Sequence, residues 1–245
     1  MGLPATVVTS WREGQGGSPV ISLRDIRRSY EIGENEFQAL RGVDLDIRQG
    51  EFVALMGPSG SGKTTLMYLI GLLDRPSSGQ YLLGGRDVTD LTENERAGVR
   101  NREIGFVFQA FHLLPRMNLL ENVEVPLLYA GYPARERSER AMALLARVGL
   151  ESKAGNLPSQ ISGGQKQRVA IARSLACEPR MLLADEPTGN LDSRTGNEVL
   201  ELLLAPAKAG RTVVLITHDP EVAARADYTL RVRDGEVHEE SRVLV

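Results

Sequence analysis

The chain has 245 residues, 42% of them apolar and 25% charged, with 29 Lys and Arg against 32 Asp and Glu for a net charge of −3. That composition excludes a disordered or fibrous chain and suffices to bury a core in one large or two small domains of roughly 100–200 residues each. The slightly acidic balance lacks the basic surplus by which a dedicated nucleic-acid binder displaces counterions, and a single cysteine, Cys177, excludes an internal disulfide or a cysteine-based zinc cluster.

Residues 1–19, rich in Gly, Ser and Thr around Trp11, read as a loose arm without the basic start and apolar stretch of a secretion signal. No apolar run approaches the roughly 20 residues needed to cross a bilayer; the densest, Leu66 to Leu73, falls well short. The chain is therefore expected to be soluble, with any membrane crossing left to another polypeptide. Alternating apolar positions predict strands in VISLRDI from Val20, FQALRGVDLDI from Phe37 and EFVALMG from Glu51, parted by turns at Gly33-Glu34-Asn35 and Gln49-Gly50. A helix is expected from Lys63 to Leu73, broken by Pro76-Ser77-Ser78-Gly79.

From Thr89 to about Pro158 the pattern is helical apart from the strand-like IGFVFQ from Ile104 to Gln109. Its clearest helix spans residues 134–150, with Met142, Leu145 and Val148 on one stripe and a charged opposite face. Beyond Pro158 the order becomes helix 165–177, strand 181–184, helix 193–204, strand 212–217 and helix 219–226. Strands alternating with helices at this spacing imply a parallel sheet covered on both sides. Asp234-Gly235 between two alternating runs predicts a two-residue hairpin.

Three segments carry chemistry. Gly57-Pro58-Ser59-Gly60-Ser61-Gly62-Lys63-Thr64-Thr65 fits G-x-x-x-x-G-K-[ST] and lies between a predicted strand and a predicted helix. Glycines there let successive N–H groups converge on an anion, and the helix adds its positive end. Lys63 would reach the outer phosphates of a nucleotide and Thr64 would ligate Mg²⁺. Asp185 and Glu186 follow a short apolar strand. Alone, Asp-Glu-Pro is a polar turn; beside a phosphate loop, Asp185 suits a metal and Glu186 a general base for the attacking water.

The third segment is Ile161-Ser162-Gly163-Gly164-Gln165. Ser162 and Gln165 form a capping box, yet two helical glycines each cost about 1 kcal/mol against alanine, so something must approach that backbone closely. A second bare helix terminus with a hydroxyl suits phosphate, while the chain has one phosphate loop. A two-fold dimer, each tip completing the other copy's nucleotide site, reconciles the two.

Together, GPSGSGKTT, ISGGQ, MLLADEP, Asp192 and His218 resemble the ATP-binding subunits of ABC transporters over about residues 20 to 240. Ile161, where that signature usually has Leu, is an isosteric departure. The resemblance implies an α/β fold: a P-loop NTPase core with a parallel sheet (about 20–88 and 159–240), an N-terminal antiparallel β subdomain and a helical insert (about 89–158). It implies an ATP hydrolase using Mg²⁺, paired with a second ATP-binding subunit and with integral membrane permease subunits, no nucleic acid, and peripheral on the cytoplasmic face of the membrane.

From the residues alone, Tyr30 is an ordinary strand aromatic, Gln109 a polar loop residue and His218 a turn or capping residue. The resemblance gives Tyr30 adenine stacking, Gln109 the sensing of Mg²⁺ and water, His218 a γ-phosphate contact, and Asp192 a place at the dimer interface. DEPTGNLDS from Asp185, the segment from Ile104 to Gly131 and THDPEVA from Thr217 are similar to the subgroup serving lipoprotein release, macrolide efflux and cell division. That leaves an exporter of amphipathic substrates, or an ATP-driven switch on a non-transporting membrane complex. A DNA-maintenance or translation ATPase ranks last, since neither a long coiled coil nor a second ATP module is visible.

Overall fold

The computed structural model describes residues 19–33 and 35–240, so the expected arm falls outside the described residues except for Pro19. In chain order the elements are β1 (Pro19–Ile32), β2 (Asn35–Arg48), β3 (Phe52–Met56), α1 (Lys63–Ile70), β4 (Ser78–Leu83), β5 (Arg86–Asp87), α2 (Glu93–Glu103) and β6 (Ile104–Phe108). There follow α3 (Leu119–Tyr129), α4 (Ala134–Arg147), α5 (Gly163–Ser174), β7 (Met181–Asp185), α6 (Ser193–Lys208), β8 (Thr212–Ile216), α7 (Pro220–Ala223), β9 (Tyr228–Arg233) and β10 (Glu236–Glu240). They divide into two compact units, one of residues up to Arg96 and from Val214 onward, the other Ala97–Val213. No helix among the described residues is long and apolar enough to cross a membrane.

In the first unit, β1 and β2 pair antiparallel, with Ile21 opposite Ile47, Leu23 opposite Leu45 and Tyr30 opposite Phe37. Alternation in both strands puts Ile21, Leu23, Ile26, Leu40, Val43, Leu45 and Ile47 on the buried side. Each such side chain contributes about 1.5–3 kcal/mol by leaving water. The pair belongs to an antiparallel sheet of order β2-β1-β4-β5. The sequence reading named no strand at β4 or β5.

β3 is apolar throughout and runs parallel to β9, the pattern of a strand covered on both faces. β9 returns antiparallel as β10. Asp234 and Gly235 between them both have positive φ, 50° and 81°, as the predicted two-residue turn requires. α1 stops at Ile70, earlier than its apolar run suggests. Leu72 takes φ 55° and the Gly71 amide bonds to Met67 O at 2.7 Å, so the helix closes before Pro76 is reached.

In the second unit β6 and β7 pair in parallel, Gly105 opposite Leu182 and Phe108 opposite Asp185. The unit also holds most of α2 and all of α3, α4, α5 and α6. Asn118 and Glu121 cap α3 reciprocally. α4 buries Ala141, Leu144 and Leu145, with Val148 just beyond its end, and Met142 is half-buried at the margin of that stripe. Its other side holds the ion pairs Arg135–Glu139 and Arg140–Glu136, each worth about 0.3–0.5 kcal/mol on an exposed helix face. α5 begins at Gly163, two residues ahead of the predicted start, because Ser162 is its N-cap.

Candidate functional site

In the first unit the strand β3 delivers the chain into the loop Gly57–Gly62, from which α1 departs. The loop is held from outside: the Gly235 amide donates to Ser61 O at 3.0 Å. A Cβ on Gly57, at φ 152°, would lie 2.1 Å from Val232 O, and one on Gly62, at φ 107°, 2.7 Å from Ala39 O. Neither position accepts a side chain. Pro58, Ser59, Gly60 and Thr64 are exposed, Lys63 and Thr65 half-buried. Lys63 Nζ donates to Gly57 O and to Pro58 O, both at 2.8 Å, so the ammonium lies across the loop. α1 has no side-chain cap and no acid in its first turn, leaving its positive end unneutralised. The Ser61 hydroxyl is buried with no hydrogen-bond partner. A helix end without a side-chain cap, an ammonium and an unmet hydroxyl on a glycine-rich loop form a donor set suited to phosphate oxygens.

Tyr30 lies at the far end of β1. Its hydroxyl donates to Asp74 at 2.8 Å, and the Arg28 guanidinium covers the ring 4.3 Å from its centroid while also binding Asp74 through two nitrogens. Burial pushes the Asp74 carboxyl up, but the Tyr30 hydroxyl, the Arg75 amide and Arg28 together outweigh it and hold the carboxyl below its ordinary range. The ring is thereby fixed in orientation, which a plain strand aromatic does not need. His218 is exposed just past the carboxyl end of β8. The cap of α7 comes from Asp219, which accepts from the Glu221 amide at 2.8 Å, so the capping role open to His218 is filled by its neighbour.

In the second unit the parallel register of β6 and β7 brings Gln109 and the pair Asp185 and Glu186 to the same strand ends, since Phe108 faces Asp185. Asp185 closes β7 and Glu186 takes φ 46°, an uncommon conformation for a residue with a side chain. The chain then turns, with Gly189 N bonding to Glu186 O at 3.0 Å. Gln109 Nε2 donates to Asn190 Oδ1 at 3.3 Å, and Asn190 Nδ2 donates to Gln109 O at 3.2 Å. Sequence reasoning gave Asn190 no role of its own, although it lies within the DEPTGNLDS run.

Ser162 is exposed and caps α5 as predicted. Its hydroxyl accepts from the Gln165 amide at 3.3 Å, and Gln165 Oε1 accepts from the Ser162 amide at 3.1 Å. Asp192 caps α6, accepting from the Thr195 amide at 3.0 Å. Hydrogen bonds from Thr195, side chain first and amide second, hold the Asp192 carboxyl below its usual range. The two helix starts touch, Gly164 of one against Thr195 of the other. Among the described residues no group of three or more His, Cys, Asp or Glu is arranged to hold a metal ion. A hydroxyl such as Thr64 with one carboxylate fits Mg²⁺, which commonly takes phosphate oxygens and water for its remaining ligands.

A family model described as ABC transporter matches residues 40–189. The chain is 51% identical over 218 residues to the uncharacterized ABC transporter ATP-binding protein YknY of Bacillus subtilis, covering 89% of this chain and 95% of that protein. It is 54% identical over 220 residues to the macrolide export ATP-binding/permease protein MacB of Nitrosomonas europaea, covering 89% of this chain and 33% of MacB. The chain thus spans nearly all of YknY but about a third of the length of MacB. Among solved structures, the dimeric post-hydrolysis state of the ATP-binding cassette MJ0796 bound to ADP and Pi matches with a TM-score of 0.85 and 43% identity, over 92% of this chain and 99% of that one. With the phosphate loop, the paired acids and the capped Ser-Gly-Gly start on one α/β chain, these likenesses show that the chain belongs to the ABC transporter family, as an ATP-binding cassette that hydrolyses ATP.

Proposed function

We propose that the chain drives a membrane permease exporting an amphipathic substrate, two copies pairing around two ATP on the cytoplasmic face of the membrane. Support for export comes from relatives named for macrolide export and for pyoverdine export. Support for pairing comes from the two dimeric MJ0796 structures and from the exposed Ser162 tip. The observation that carries the reading is Gly163: a Cβ there would meet nothing closer than 3.6 Å within the chain, so no packing inside the molecule demands a glycine. A glycine backbone left open at the exposed start of α5 suits phosphate arriving from a second copy.

In this reading Tyr30 stacks on the base, and the amides from Gly57 to Thr65 with Lys63 hold the phosphates. Thr64, Asp185 and Gln109 are the groups that would hold Mg²⁺. When bound, the ion would supply positive charge to offset that developing on the phosphate oxygens. Glu186 orients the attacking water and withdraws its proton, His218 contacts the γ phosphate, and Ser162, Gly163, Gly164, Gln165 and Asp192 face the partner's nucleotide. Glu186→Gln keeps the side-chain shape and removes the base, which should cut turnover by about 10²–10⁴-fold while ATP-dependent dimers accumulate on size exclusion. Robust turnover in that variant would remove Glu186 from its role.

A further inference from the structure

We propose that Arg173 is the positioning residue for Gln109: its guanidinium grips the backbone that follows Gln109 and so sets where that side chain sits. The inference rests on the reading of Gln109 given above. Arg173 lies on α5, half-buried, near the end opposite the Ser162 cap. Its Nη1 donates to His112 O at 2.6 Å and its Nη2 to Phe111 O at 2.9 Å. Both accepting residues have positive φ, 62° at Phe111 and 47° at His112. Two successive ringed residues in that region are costly and persist only where surrounding groups over-determine them.

The loop's own bonds are local: Phe111 N to Phe108 O at 3.1 Å and His112 N to Ala110 O at 2.6 Å, with the His112 ring edge-on to Phe108. Among the described residues, the Arg173 fork is the hydrogen-bonded link that ties both strained residues to another element. Withdrawing a guanidinium from water costs free energy, and here burial weakens its hold on its proton. Two carbonyl acceptors offset that cost, a geometry a planar fork meets and a point-like ammonium does not. On the other side of Gln109, Asn190 takes the side-chain amide, and Gly189 makes room, since a Cβ there would lie 2.7 Å from Gln109 Nε2. Gln109 is thus bracketed, its amide by Asn190 and its loop by Arg173. The helix that carries the Ser162 cap is the same helix that grips the loop, so a shift of α5 moves Gln109 with it.

The test is a four-variant cycle of wild type, Gln109→Ala, Arg173→Lys and the double variant, read by steady-state hydrolysis across Mg²⁺ and ATP concentrations, with thermal midpoints measured in parallel. Arg173→Lys should lower kcat by about tenfold and raise the Mg²⁺ needed for half-maximal activity, with KM for ATP within about twofold; in the Gln109→Ala background it should change neither further. Losses that multiply in the double variant, or a fall in thermal midpoint with kcat and Mg²⁺ dependence intact, overturn the proposal and leave Gln109 its role. A Gln109→Ala single variant with wild-type kcat and Mg²⁺ dependence overturns the reading of Gln109 and the proposal with it. Should Arg173→Lys not fold, Arg173→Met takes its place in the cycle, since it keeps the apolar stem, removes both donors to the loop and leaves no charge to desolvate. The expected result is the same loss with Gln109 present and none without it.

Discussion

A Cβ on Gly164 would lie 2.2 Å from the Thr195 methyl, whereas one on Gly163 would meet only Leu191 at 3.6 Å and Phe111 at 3.8 Å. The sequence argues that two glycines at the start of a helix need a close neighbour. At Gly164 that neighbour is inside the chain, and at Gly163 it is not. The two therefore separate experimentally. Gly164→Ala should destabilise by about 1–3 kcal/mol through overpacking, seen as a lower urea midpoint at unchanged slope, and Thr195→Ser, which deletes the offending methyl, should restore most of it. Gly163→Ala should fold with stability unchanged or raised by up to about 1 kcal/mol, because alanine is the better helix former. A Gly164→Ala loss that Thr195→Ser leaves untouched would mean that some other contact fixes the glycine.

Between elements, β6 lies close against α5 in the second unit. A Cβ on Gly105 would lie 2.3 Å from Ser174 O and 2.5 Å from a Leu182 methyl. A backbone oxygen at the end of a helix cannot rotate away, so Gly105→Ala must push strand and helix apart. The expected cost is about 1–3 kcal/mol in a denaturant titration, and no single truncation at Leu182 should recover it; full recovery by Leu182→Ala would show the side chain, not the carbonyl, to be the obstacle. This contact was not legible in the sequence, where Gly105 is one glycine in an apolar run and Ser174 is 69 residues away. What was legible is local: the alternation of β1, β2 and β9, the all-apolar β3, the Asp234-Gly235 turn and the Ser162 capping box each declare themselves within a few residues. Of the candidate site, the glycine loop and the acid pair announced themselves by spacing. Tyr30, Gln109 and His218 did not, because their special settings come from residues distant in sequence or unremarkable in type: Arg28 and Asp74 around Tyr30, Asn190 and Arg173 around Gln109, Asp219 taking the cap beside His218. β4 went unseen for the same reason, since its SGQYLL run is defined by pairing with β1 far upstream.

For the molecule as a whole, the proposed pairing makes hydrolysis a property of concentration. If Ser162 and its neighbours complete a nucleotide site only in a second copy, a lone chain binds ATP but lacks half of what surrounds the phosphates, and ATP favours the pair by its differential affinity for the closed state. Specific activity of the isolated chain should then rise with protein concentration toward a plateau, and Glu186→Gln should form ATP-dependent dimers at lower concentration than wild type. Ser162→Arg places a long cation at an exposed cap whose own bonds lie within α5. It removes the side-chain acceptor of the cap, worth about 0.5–2 kcal/mol, which a thermal melt will register. Nucleotide binding by the monomer, measured by equilibrium titration, should stay within about twofold of wild type, a difference of about 0.4 kcal/mol, because the phosphate loop is on the other unit. What should vanish is the rise of activity with concentration and the ATP-dependent dimer on size exclusion. A Ser162→Arg variant that binds ATP and still shows the wild-type concentration dependence would detach the serine tip from the partner's nucleotide, leaving Gly163 without the external neighbour its open backbone implies.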